Sequence, residues 1–397
     1  MSMTLSRRSF LRASAALAGA SALPARAASA PKPRALAIVF FSGGFNALHA
    51  TPNTLMGSFG TTSDSMVPTG TGLFVDKATF GTLPAAALQR MAVVGVEHGI
   101  TAHEPAQSAI FTGAQSYPLT IAAAMPSEAA LRCALFGGLP SNISTAPVPG
   151  ASLTRVSDVR PALDIMVGAD RPGEPTRAAM ARGLRLSYGL SRPMIEQNPR
   201  TLAPQATGFE ALIGALEKPV RPLDWSAIAA GYGLEPTATA VDSIAAQFAA
   251  AELVIRGGTS VAIIAPPPDG ACGEAGWDTH GDESGSCVRG MFSRLVSSHL
   301  GRFLERTMAM TEIEVTTLVL GEFSRDPFLS DHARCLAAAV FGPRVVPGTT
   351  GPAFNRAGKL AMPEGTPGIK EMWALMGELA GVSGAPLGAT PHRSVVG

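Results

Sequence analysis

The sequence predicts an α/β protein, a three-layer α/β/α sandwich around a mostly parallel central sheet. Four strand-like runs, 35–41, 91–96, 260–265 and 315–320, are mainly apolar, and the first is a continuous apolar stretch of the kind found in strands buried on both faces. Helix-period stretches alternate with them, as in parallel-sheet proteins. Two acid–imidazole pairs, Asp278 with His280 and Asp331 with His332, come shortly after the third and fourth runs. The carboxyl ends of strands are where an open α/β sheet builds its sites.

Residues 1–27 stand apart from this pattern. Ser6-Arg7-Arg8-Ser9-Phe10-Leu11 precedes a modestly apolar run, 13–23, and a small-residue cleavage sequence, Ala25-Arg26-Ala27. That is the anatomy of a twin-arginine export signal, which leaves 28–397 as one mature domain in the periplasm or secreted. The alternative, a membrane anchor, needs roughly 20 apolar residues to cross ~30 Å of hydrocarbon, and the run is shorter. No later segment offers that length, so no membrane span is expected after signal removal. Losing Arg7, Arg8, Arg12 and Arg26 leaves 27 basic against 30 acidic residues. Near-neutral charge gives no footprint for nucleic acid and no polybasic patch for a membrane surface. A hydrophobic content of 46% is ample for a large core.

The strand at 35–41 ends in the turn Ser42-Gly43-Gly44-Phe45-Asn46, and a Thr/Ser/Gly/Pro-rich surface loop follows over 52–72. The strand at 91–96 leads through Glu97-His98-Gly99-Ile100-Thr101-Ala102-His103-Glu104-Pro105 into a helix at 106–111, with Pro105 in its first turn and Thr101 or a neighbour as cap. Between 117 and 205 proline and glycine recur and only short apolar runs remain, which reads as insertions and short helices over the core, a lid or partner surface. Helices are expected at 209–216, 225–230 and 241–253. The strand at 260–265 is stopped by Pro266-Pro267-Pro268. A longer helix is expected over 287–308, and the strand at 315–320 feeds Gly321-Glu322-Phe323-Ser324-Arg325.

Four cysteines, Cys133, Cys272, Cys287 and Cys335, admit three full pairings in an oxidising compartment. A Cys272–Cys287 bridge would stiffen the loop carrying Asp278 and His280; four free thiols are the alternative. No C-x-x-C spacing supports a cysteine zinc site.

Polar residues at four putative strand ends can converge: Asn46, the turn Thr101–His103, Asp278 with His280, and Asp331 with His332. Carboxylates and imidazoles together suit a divalent metal, Zn, Mn, Ca or Mg, which would polarise an ester oxygen or lower the pKa of a water. In the plainer reading the aspartates cap helices and the histidines bond to backbone. Glu322 and Arg325 fit an ion pair buttressing the site. His299 fits the apolar face of its helix, and His392 is either a solvated tail residue or a late imidazole ligand. There is no G-x-S-x-G elbow, no Walker loop and no G-x-G-x-x-G spacing, against the corresponding hydrolases, P-loop NTPases and dinucleotide enzymes.

The twin-arginine signal, the strand-Gly43-Gly44-Phe45-Asn46-Ala47-Leu48 turn, Ala102-His103-Glu104-Pro105-Ala106-Gln107 ending at Thr112-Gly113, Trp277-Asp278-Thr279-His280, Glu322-Phe323-Ser324-Arg325 and Asp331-His332, in that order, resemble a bacterial exported family labelled domain of unknown function 1501, in the alkaline-phosphatase-like (sulfatase-like) superfamily. The resemblance runs to about residue 348. It implies an alkaline-phosphatase-like sandwich with one or two divalent metals at the carboxyl ends of central strands. By position, Asp278, His280, Asp331 and His332 would be ligands, with Asn46 where the family's first-turn aspartate stands. His103 would lie where relatives place a nucleophile or ligand, with Thr101 as the nearest hydroxyl. The family's Gly-Gly-x-Asp-Gly reads Asn46-Ala47 here, its Ser-His reads Ala102-His103, the glycine after Asp331-His332 is Ala333, and Ser-Glu-Phe-Gly-Arg reads Gly321-Glu-Phe-Ser-Arg325. The family has no established reaction, so the resemblance implies a fold and a metal site, and metal-dependent hydrolysis of a small phosphate or sulfate ester is the leading expectation. The softened positions imply, as the alternative, a non-catalytic binder of an envelope partner. An oxidoreductase is a third option, because twin-arginine export often serves such enzymes.

Overall fold

A strand with apolar side chains on both faces has to be covered on both, and the apolar runs meet that condition in one sheet. The computed structural model describes residues 31–44, 61–69, 73–127, 129–167, 176–198, 223–267, 277–325, 331–350, 368–382 and 386–397, with positions 202, 209, 213, 353–354, 360–361 and 384. Its strands include β1 (Arg34–Phe40), β2 (Met66–Pro68), β3 (Phe74–Asp76), β4 (Met91–Glu97), β5 (Cys133–Gly137), β6 (Leu153–Arg155), β7 (Val261–Ala265), β8 (Glu314–Leu320), β9 (Cys335–Phe341) and β10 (Gly348–Thr350). Eight of them form one sheet in the order β10-β4-β9-β8-β1-β7-β5-β6, and β2 and β3 form a separate hairpin. At the centre β1 runs parallel to β7, with Leu36 opposite Val261, and to β8, with Arg34 opposite Glu314. Only β9 reverses, antiparallel to both β4 and β8.

The α-helices among the described residues include α1 (Ala85–Leu88), α2 (His103–Phe111), α3 (Tyr117–Ala124), α4 (Val159–Val167), α5 (Arg177–Gln197), α6 (Trp225–Gly231), α7 (Ile244–Arg256), α8 (Ser286–Met291), α9 (Ser297–Met308) and α10 (Ile369–Leu379). They pack in two groups. In one, α7 and α9 meet through Phe248 and Phe303 and lie on β5, β7 and β8. In the other, Trp373 of α10 packs on Phe111 of α2 and Tyr117 of α3, and donates its indole N–H to the Ile110 carbonyl at 2.7 Å. With the central strands buried on both faces, each group takes one face, and the result is the three-layer α/β/α sandwich. Residues Pro33–Gly397 form one compact unit.

Three segments differ from the sequence expectation. Residues 117–205, expected to lie over the core, supply β5 and β6 to the sheet itself, with Cys133 opposite Val261. The helix expected over 287–308 is interrupted by one π-helical stretch, Phe292–Val296, between α8 and α9. The helix after β4 begins at His103 instead of 106, with Ala102, the neighbour of Thr101, at the N-cap and no side-chain cap. The helix expected at 209–216 lies almost wholly outside the described residues. Cys287 is disulfide-bonded; Cys272, the partner considered from sequence, is outside the described residues. Cys133 and Cys335 are buried thiols on β5 and β9.

Candidate metal centre

The ends of β1, β4, β7 and β8 that point the same way, together with the start of the reversed β9, bring five segments to one edge of the sheet. Two glycine-dependent contacts set their spacing. Gly43, just past β1, has φ 120°, and a Cβ there would stand 2.3 Å from the Asp278 backbone nitrogen. Only glycine lets the turn after β1 touch the 277–280 loop this closely. Trp277 then fixes that loop: its backbone N–H donates to the Ser42 carbonyl at 3.0 Å, its indole N–H to the Pro266 carbonyl at 3.2 Å, and its ring meets Phe41 edge-on.

Four side chains converge. His103, Asp278, His280 and His332 each present one donor atom, and these atoms all lie within 4.8 Å of one another. The Nε2 atoms of His280 and His332 are 2.6 Å apart, and Nε2 of His280 is 3.6 Å from Asp278 Oδ1. His103 Nε2 lies 3.0 Å from Asp278 Oδ2, within ion-pair distance, yet this buried nitrogen has no aligned hydrogen-bond partner. Behind the cluster each imidazole turns Nδ1 to an oxygen. His103 Nδ1 meets Glu322 Oε1 at 2.7 Å, His332 Nδ1 meets the Thr101 carbonyl, and His280 Nδ1 stands 3.6 Å from Asp331 Oδ1. A carbonyl only accepts, so in neutral His332 the proton sits on Nδ1 and the Nε2 lone pair faces the cluster. Imidazoles oriented from behind by carboxylate or carbonyl, with their second nitrogens converging, are the arrangement found around bound metals.

The surroundings hold the donors in place. Glu322 is fully buried, and its carboxylate also accepts the Gly43 N–H at 2.9 and 3.1 Å and the Gln107 amide at 3.1 Å. Arg325 is fully buried too, and its guanidinium bonds Asp278 Oδ1 and the Gly43 carbonyl. The Phe323 ring underlies His103 and His332, with centroids 4.8 and 4.3 Å away.

The charges follow from these contacts. Burial works to lower the His103 pKa, but the two adjoining carboxylates, Asp278 and Glu322, outweigh it and raise it to about 9. Burial works to raise Asp278, and the His103 contact with the Arg325 and His280 charges outweighs it, bringing the carboxyl to about 2. Burial lowers His332, and nearby Arg325, His103 and His280 reinforce the effect against the Thr101 hydrogen bond. At neutral pH the set therefore holds one carboxylate, one imidazolium and a neutral His332, with a proton where a cation would bind. A donor set this rich in imidazole fits a transition metal better than Ca or Mg.

Of the residues expected from sequence, Asp278, His280 and His332 meet, and His103 joins them as a fourth donor. Asp331 stands outside the cluster, behind His280, with its side chain 63% exposed and its carboxylate accepting the His332 N–H at 2.7 Å. Thr101 enters through its carbonyl. Glu322 and Arg325 each take a donor of the cluster, Glu322 holding His103 and Arg325 holding Asp278. Asn46 lies outside the described residues. His392 is neither a solvated tail nor part of the cluster: it is fully buried and bonds Thr350 at 2.9 Å. Gln107 closes the Ala102–Gln107 motif but was given no role from sequence, although its position one helical turn after His103 puts the two on one face of α2. Nothing local marks Phe323.

No family model matches the chain, and no curated protein matches it. Among solved structures, it is similar to a sulfatase candidate from Bacteroides thetaiotaomicron VPI-5482, at 9% identity and a TM-score of 0.38, over 92% of this chain and 75% of that one. It is also similar to a 2-O GAG sulfatase, at 11% identity and a TM-score of 0.34, over 92% and 74%. Neither likeness carries residues or a reaction to this chain. No described helix is long and apolar enough to cross a membrane.

Proposed function

We propose that the chain is an exported, alkaline-phosphatase-like, metal-dependent hydrolase of phosphate or sulfate esters, with His103, Asp278, His280 and His332 as the metal ligands. One observation carries the reading: three imidazoles and a carboxylate converge, and His103 and His332 are held from behind by hydrogen bonds to oxygens, with the Asp331 carboxylate 3.6 Å behind His280. A divalent ion held there would polarise an ester oxygen and lower the pKa of a water. Glu322 and Arg325 would fix the positions of His103 and Asp278, and Asp331 would orient His280.

Ala102 favours a second reading. It occupies the N-cap of α2 beside the cluster, where the resembled family has a serine, and it offers no hydroxyl nucleophile. A non-catalytic protein that keeps the metal to bind an envelope partner would have this composition.

The test is the metal content of protein purified from its native compartment without chelator or metal-affinity resin, followed by assays on aryl phosphates and aryl sulfates with added Zn or Mn. About one equivalent of metal, with turnover that Asp278→Ala abolishes, is the expected result. Metal without turnover selects the second reading. Absence of metal after reconstitution sinks both.

A further inference from the structure

Cys287 lies in the first turn of α8 and is disulfide-bonded, while Cys133 and Cys335 are buried thiols. The chain has four cysteines, so within one molecule the bond from Cys287 can reach only Cys272. Joined in this way, residues 272–287 form a covalent ring. Asp278 and His280, two of the four converging donors, stand inside it.

The described part of this segment is docked by hydrogen bonds at both ends. Trp277 fastens it to the Ser42 and Pro266 carbonyls. Two turns follow, in which the Asp282 N–H donates to the Thr279 carbonyl at 3.1 Å and the Gly285 N–H to the Asp282 carbonyl at 2.9 Å. The Asp282 carboxylate then caps α8, accepting the Cys287 and Val288 N–H groups at 3.2 and 2.9 Å. Helix α8 itself is firmly seated: Val288 and Met291 are buried, and Arg289 pairs with buried Asp76 at 2.9 Å. His103 and His332 belong to other segments, so the donor set is complete only while 277–282 stays docked. A bond from α8 back to residue 272 restricts the undocked conformations of exactly this stretch. In the chain-entropy picture a ring of this size shifts the balance toward the docked form by about ten- to a hundredfold.

We infer that Cys287 is bridged to Cys272 and that the bridge is a redox switch on the metal centre, which binds metal tightly when the ring is closed and loosely when it is open. Cys287 is half-buried, within reach of a small dithiol. Reduction moves two electrons and two protons from that dithiol to the sulfur pair, leaving two protein thiols and the reductant as its own disulfide. Only the affinity change rests on the metal reading; the bridge and its hold on the loop stand apart from it.

Three forms of the full mature chain are compared: oxidised, reduced with dithiothreitol that is then removed without air, and the double variant Cys272→Ser, Cys287→Ser. The variant opens the ring without offering thiolates to a metal. Peptide mapping of the oxidised chain should recover 272 and 287 as one linked pair, with Cys133 and Cys335 as thiols. Competition for Zn against a chromophoric chelator should give an affinity about ten- to a hundredfold weaker in both open forms, and reoxidation should restore that of the reduced chain. Hydrogen exchange at the Trp277, Asp282 and Gly285 amides should quicken in both open forms, with or without Zn, while circular dichroism checks that the fold is kept. A different pairing, or exchange indifferent to reduction, overturns the inference. Equal Zn affinity in all three forms overturns the switch. A chain that takes up no Zn in any form fails the metal reading and the switch with it, and exchange then still decides whether the bridge holds the loop.

Discussion

The buried Glu322 carboxylate is shared by the Gly43 N–H, the Gln107 amide and the His103 imidazole, so one side chain joins three chain segments. Glu322→Gln keeps an oxygen for one of these donors and removes the charge that orients and polarises His103. We expect metal affinity to fall about 10- to 100-fold with little change in fold, measured by competition with a chromophoric chelator. Gly43→Ala should act differently. Its Cβ would meet backbone that has no room to move, and a non-glycine residue at φ 120° is strained as well. A loss of about 1–3 kcal/mol is expected in urea denaturation, together with weaker metal binding as the 277–280 loop is pushed away. At this scale the sequence was partly legible. Asp278 and His280 could be singled out because they are near neighbours after a strand, and so could Asp331 and His332. That Asp331 stands behind an imidazole while His103 faces the centre depends on side-chain direction, which spacing does not encode.

Among elements, the 277–280 segment depends on Trp277, which grips the turn after β1, the end of β7 and the Phe41 ring together. Trp277→Ala should destabilise by about 3–5 kcal/mol and should also impair metal retention, because Asp278 is the next residue; thermal denaturation with and without metal separates the two effects. Strands β1, β4, β7 and β8 were recognisable by their Val, Ile, Leu and Phe content, whereas β5 and β6 were hidden among prolines and glycines. Strand β9 was not recognisable either: Cys-Leu-Ala-Ala-Ala-Val-Phe is rich in alanine, the strongest helix former, and poor in β-branched residues. Only its place between β4 and β8 makes it a strand. The π-helical stretch at Phe292–Val296 escaped for a related reason, since the apolar spacing across 287–308 is helical on both sides of it.

For the molecule as a whole, a metal that binds only the folded chain adds stability, about 2.7 kcal/mol at a free concentration one hundred times Kd. His280→Ala should abolish this increment while leaving the metal-free melting point close to that of the parent. Acid acts through a different residue. Burial lowers His392 to about 4 from its ordinary 6.5, so the unfolded chain takes up a proton there before the native protein does. Stability is therefore unaffected by this group above about 6.5 and falls as pH drops toward about 4, by up to about 3 kcal/mol. Thr350 remains able to donate to a carbonyl at this position, so His392→Gln should remove this group's share of the slope and leave that of His98, which burial also lowers to about 4; an unchanged slope would show that His392 is not one of its sources. The reversed strand β9 has a further consequence, one for the order of synthesis. Within the sheet, β4 and β10 reach β8 only through it. A nascent chain that has made β1, β4, β7 and β8 thus holds the sheet as two unjoined parts, with His103 on one and Asp278 on the other. They close into one body only when residue 341 has emerged, and the long-range pairing that completes the fold is also the step that completes the site.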